Sequence, residues 1–84
     1  MKPVSQAIVD STLLRLVSGA QRLSSVFSSV ENGKVVYMLV DLSLRAGFLI
    51  GAASATGNTE FVAQVDHVYE YVRAIERKLI ERLR

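Results

Sequence analysis

The sequence predicts an all-α protein, a three-helix chain in which two long heptad-patterned helices flank a very apolar central one, forming a helical bundle as an oligomer. Three observations predict it. Apolar residues recur at alternating spacings of four and three in two separate runs, half of the 84 residues are hydrophobic, and a single proline, Pro3, interrupts the chain. A chain of this length makes one helical domain, 1–84, and leaves much of its apolar surface hard to bury without a partner.

In the first run, Val9, Leu13, Leu16, Ala20, Leu23, Phe27 and Val30 line up as one seam, which predicts a helix over about 3–31. The piece SSVFSSVENGKVVY carries a competing signal, because Asn32-Gly33 between two valine-bearing runs is also a hairpin turn. A strand there would break a seam that stays in register through Leu23, Phe27 and Val30, so the helix is preferred. Asn32-Gly33 then reads as its stop, with Gly33 in the left-handed conformation.

The second helix is expected over about 34–56. Its stretch KVVYMLVDLSLRAGFLIGAAS is apolar enough to raise the question of a membrane span. On an insertion scale its Val, Leu, Ile and Phe residues gain about 3 to 5 kcal/mol, whereas Asp41 and Arg45 near the middle cost about 5 to 7 kcal/mol. The balance is against spanning, and a membrane partner is not expected. On a helical wheel Lys34, Asp41 and Arg45 form one narrow wet strip, and opposite it lie Ser43, Gly47, Gly51 and Ser54. Gly inside a helix costs about 1 kcal/mol against Ala, so two of them suggest a packing role, with the helix gripped on two sides.

The third helix is expected over about 59–84. Phe61, Val65, Val68, Val72, Ile75 and Leu79 step by four and three and complete the expected interface set, with Asn58 or Thr59 as the cap after Gly57. Acidic residues gather in its first half. Arg73, Arg77, Lys78, Arg82 and Arg84 gather in its second, an order that complements the helix dipole.

Composition narrows the chemistry. With no cysteine there is no disulfide framework, no thiolate metal site and no cysteine nucleophile, and a formal charge of +2 is too small to imply a polyanionic partner. The start MKPVSQAIVDS lacks the continuous apolar run of a secretory signal, so a cytoplasmic location is expected. No nucleotide fingerprint, phosphate loop, zinc spacing or nucleophile elbow is present, and no cofactor or metal is expected. His67 lies on the polar side of the third helix, in the reverse order to the Glu-x-x-His of di-metal bundles. Glu76 falls at the centre of that helix's apolar stripe, where a carboxylate must be paired, shifted, or exposed at an interface edge. A buried ion pair among Asp41, Arg45 and Glu76 is the expectation, with Arg15 and Arg22 as further partners.

The run GKVVYMLVDLSLR, followed after the helix by GNTE and another amphipathic helix, resembles the helical hairpin of flagellin-binding flagellar export chaperones. The likeness covers 33–84 and rests on a Met-Leu-x-Asp-x-x-Leu pattern beginning at Met38. Val40-Asp41-Leu42 stands where that family has an aromatic-Asp-Gly turn, and the family's later helices have no counterpart. The resemblance implies a hairpin that binds another protein chain, and no binding residues carry over.

The function these features predict is interaction without catalysis, by a small oligomeric adaptor, chaperone or structural subunit of a phage, viral or secretion assembly. A homo-oligomer, dimer or larger, and a protein partner are expected. One alternative is a small basic oligomer that binds nucleic acid through Arg73, Arg77, Lys78, Arg82 and Arg84. A second is a small helical enzyme holding an anion between arginines and Glu76.

Overall fold

The computed structural model describes residues 6–84. Helix α1 spans Gln6–Val26 and runs into one 3-10 turn at Phe27–Ser29; α2 spans Asn32–Thr56 and α3 spans Thr59–Leu83. The described residues contain no strand, which excludes the hairpin, and the expected start of the first helix near Pro3 lies outside them. The chain folds into a rod of 44 × 19 × 19 Å in which α2 packs on both α1 and α3.

The predicted seams make the core. Leu16, Ala20 and Leu23 of α1 meet Val35, Leu39, Leu42, Ala46 and Leu49 of α2 and Val65, Val72, Ile75 and Leu79 of α3 in one buried cluster. Val9, Leu13, Phe27, Val30, Phe61 and Val68 close its ends and sides. A fully buried Leu or Val contributes about 1.5–3 kcal/mol over its exposed state, so this cluster supplies most of the drive to fold. No polar or charged side chain is buried among the described residues.

The two connections are built differently. At the second, Gly57 adopts φ 72°, its N–H donates to the Ser54 carbonyl at 3.2 Å, and the Asn58 N–H donates to the Ala53 carbonyl at 3.0 Å. This pair of bonds is the Schellman arrangement, which needs a left-handed residue and so favours glycine. Asn58 then caps α3, its Oδ1 accepting from the Phe61 N–H at 3.0 Å, as expected from its position.

The first connection corrects the expected helix stop. Asn32 and Gly33 are the first residues of α2, not the end of α1, and Gly57 is the one described glycine with positive φ. Regular α-helix ends at Val26, and Val30 is extended. Arginine from α3 takes over the role assigned to glycine. Arg82 Nη1 donates to the Phe27 carbonyl at 2.8 Å, Nη2 to the Val30 carbonyl at 2.9 Å, and Nε to Asn32 Oδ1 at 2.7 Å. The guanidinium also lies 4.3 Å from the centre of the Phe27 ring. The Val30 carbonyl is thus satisfied from outside, the Phe27 carbonyl gains a second donor beside the Val30 N–H at 3.4 Å, and no left-handed turn is needed.

Candidate functional site

Helix α2 has two apolar faces. Its buried stripe, Val35, Leu39, Leu42, Ala46, Leu49 and Ala53, faces α1 and α3. At about 100° per residue, a second stripe lies about 150° round the helix from the first. It comprises Tyr37, Val40, Leu44, Gly47, Gly51 and Ser54, all exposed, with Val36 and Phe48 beside it. The fractions are large for apolar side chains: Tyr37 76%, Leu44 69%, Val40 53%, Val36 46% and Phe48 42% exposed. No charged residue interrupts this face, because Lys34, Asp41 and Arg45 keep to the flank near α1.

The expected interface residues divide into two groups. Val65, Val72, Ile75 and Leu79 are buried and Phe61 and Val68 half-buried against the chain's own core, so the α3 seam is spent within the chain and is not offered to a partner. Ser43 is half-buried, while Gly47, Gly51 and Ser54 are exposed. A Cβ built on Gly47 or Gly51 would have no neighbour within 4 Å, so α1 and α3 do not grip α2 at these positions. The glycine at a tight crossing is Gly19 of α1, where an added Cβ would lie 2.7 Å from Leu42 Cδ2.

The expected buried ion pair is also corrected. Arg45 Nε donates to Asp41 Oδ2 at 3.0 Å, but the pair is one helical turn apart on an open flank, where it contributes little. Glu76 is exposed and makes no salt bridge among the described residues. It stands on the rim of an open groove of about 410 Å³ between α2 and α3, lined by Val36, Val40, Ser43, Leu44 and Leu79. Glu76 thus lies on the exposed flank of the buried α3 stripe and not at its centre, since Val72, Ile75 and Leu79 on either side of it in sequence are buried. Arg15, Arg22 and Arg45 line a different groove, between α1 and α2 on the opposite flank. The four residues therefore do not converge on one anion pocket.

The basic end of α3 is divided among tasks. Arg82 is committed to the first connection. Arg73 stands 4.0 Å from Glu70 and lies 5.0 Å from the Tyr69 ring centre. Arg77, Lys78 and Arg84 are exposed. His67 is exposed, and no three His, Asp or Glu side chains gather into a metal-sized group among the described residues.

No protein-family model, curated protein or solved structure matches the chain. The resemblance to flagellar export chaperones thus rests on the run GKVVYMLVDLSLR and the hairpin that follows it.

In the sequence Gly47, Gly51 and Ser54 stand out by their small size, while Tyr37, Val40 and Leu44 merge into the general apolarity of the helix. The signal was present: Tyr37, Val40, Leu44, Gly47, Gly51 and Ser54 are spaced 3-4-3-4-3, a heptad seam of its own, offset from the buried one.

Proposed function

We propose that this protein is a non-enzymatic interaction module, a small oligomeric adaptor, chaperone or structural subunit that works in the cytoplasm through the outer face of α2. The observation that carries the reading is the uncharged stripe from Val36 to Ser54, whose large apolar side chains stay exposed after the core is complete. An apolar face of this extent, with the charges of α2 itself confined to one flank, fits a helical protein surface. The separation of Glu76 from Arg15, Arg22 and Arg45 lowers the enzyme alternative, and the groove it shares with Arg73 and Arg77 is open and shallow.

By length and composition α2 could also cross a membrane, with a mean hydropathy of 1.6 over its most apolar window. The Asp41–Arg45 pair and the packed stripe toward α1 and α3 favour a protein partner instead. Nucleic-acid binding is the weaker alternative, since Arg82 is bound to the chain's own carbonyls and Arg73 lies close to Glu70.

Light scattering on a sizing column, without detergent and over a wide concentration range, tests the reading. A discrete dimer or larger species supports it. A monomer at every concentration, or solubility only in detergent, overturns it.

A further inference from the structure

The outer seam of α2 is divided by size. Its first three positions, Tyr37, Val40 and Leu44, are large, and its last three, Gly47, Gly51 and Ser54, are small. The 3-4-3-4-3 spacing reads the same in either direction about a point between Leu44 and Gly47. Turning a second α2 end for end about that point therefore sets Tyr37 against Ser54, Val40 against Gly51 and Leu44 against Gly47, and repeats the same three contacts across the axis. Every large side chain meets a small one. In a parallel pair, large would meet large at one end and glycine would face glycine at the other, leaving the helices splayed.

The geometry points to a second copy of this chain as the occupant of the seam, joined by an antiparallel, two-fold pairing of α2 with α2 in that register. This rests on the interaction reading above and names its partner. Two-fold association requires a patch that complements itself, and the size division supplies it. The arrangement also gives Gly47 and Gly51 a role that the isolated chain does not, since only a neighbouring helix passing close to the α2 backbone would use the missing Cβ atoms. An unrelated partner would place no such end-to-end symmetry on the seam.

The area is sufficient for a modest dimer. Fully exposed side chains of these types offer about 150–230 Å² each, so the fractions left exposed at Val36, Tyr37, Val40, Leu44 and Phe48 amount to about 500 Å² per copy. Two copies would bury about 1,000 Å², at the lower edge of a specific interface, which implies association that depends visibly on concentration. The charged strip of α2 stays off the seam, and the one charged side chain lining the adjoining groove is Glu76 of α3, at its rim.

The chain has no cysteine, so single-cysteine variants report contacts cleanly. Tyr37→Cys and Ser54→Cys both lie on exposed positions, and circular dichroism of each checks that the helices persist. The two variants are oxidised separately and mixed, and the products are resolved by intact mass. In the proposed register Tyr37 and Ser54 of opposite copies are adjacent. Two copies of residue 37, or of residue 54, are about 25 Å apart along the helix axis at about 1.5 Å per residue, far beyond the roughly 7 Å a disulfide can bridge. The mixed disulfide should therefore exceed either same-residue product by roughly tenfold or more. Same-residue products in comparable yield would overturn the antiparallel pairing. A wild-type dimer in light scattering that gives no mixed product would place the interface elsewhere and overturn the proposal while leaving the interaction reading intact. A monomer at every concentration would remove both.

Discussion

Replacing Arg82 should be the most damaging single change at the surface of this protein. The side chain holds two backbone carbonyls of the first connection and Asn32 Oδ1, and stacks on Phe27. Hydrogen bonds from a charged donor contribute about 1.5–3 kcal/mol each when well shielded, but this guanidinium is only partly buried, so about 1 kcal/mol apiece is the fitting scale. The cation–π contact adds about 0.5–1 kcal/mol. Arg82→Ala should therefore cost about 3–4 kcal/mol, and at about 4–8 °C per kcal/mol for a domain of this size the midpoint should fall by well over 10 °C.

Urea unfolding followed by circular dichroism, at one fixed protein concentration, measures the loss. Arg82→Lys separates geometry from charge. An ammonium keeps the positive charge but cannot fork to three acceptors in different directions, so it should recover no more than about a third of the loss. All three acceptors are uncharged, so raising the salt to 1 M should leave the difference between wild type and Ala nearly unchanged. A cost below about 0.5 kcal/mol, or a lysine variant as stable as wild type, would refute the idea that this arginine replaces a glycine stop.

Other substitutions test the two faces of α2 and its ends. Leu49→Ala, in a fully buried position, should cost about 2–5 kcal/mol in urea unfolding, whereas Leu44→Ala should change the unfolding of the dilute chain by less than about 0.5 kcal/mol. Leu44→Glu should leave the dilute chain folded and shift its light-scattering mass toward the monomer. Gly47→Ala should stabilise the dilute chain by about 1 kcal/mol, because its Cβ meets open space, and should weaken association at high concentration. Gly19→Ala should not share that gain, since the new methyl must displace Leu42 at a crossing already in contact.

Much of the fold was legible because each outer helix has a single stripe. In α3 the run from Phe61 to Leu79 admits one buried face, and the structure buries that face. The cap at Asn58 was nearly as readable, since Asn58 or Thr59 after Gly57 is a local signal, whereas the left-handed conformation was expected at Gly33 and is found at Gly57. Asn32-Gly33 misled for the converse reason: its role is set by Arg82, fifty residues away, and no local pattern reports a side chain that arrives from another helix. Glu76 shows a similar limit. The wheel sets it near Val72 and Leu83, but which part of a broad apolar stripe is buried depends on where the other helices pack. The buried face runs through Val65, Val72, Ile75 and Leu79 and leaves Glu76 exposed. Among the glycines, spacing singled out Gly47 and Gly51, while the tight crossing at Gly19 depends on which rotamer Leu42 presents.

Helix α2 carries a local contradiction that pairing would resolve. Two glycines at exposed positions in mid-helix together cost about 2 kcal/mol against alanine, and nothing in the single chain offsets that. Beside them, exposed Leu44 and Tyr37 leave apolar area in water at about 25 cal/mol per Å². On a lone chain these are two separate defects, one in the backbone and one on the surface. Placed across a two-fold axis they become one device, because the absent Cβ atoms of one copy make the space that the large side chains of the other fill. Both penalties would then be offset by the same contact, and that offset would be lost when it opens. A chain built in this way should gain stability as its concentration rises, in step with its mass.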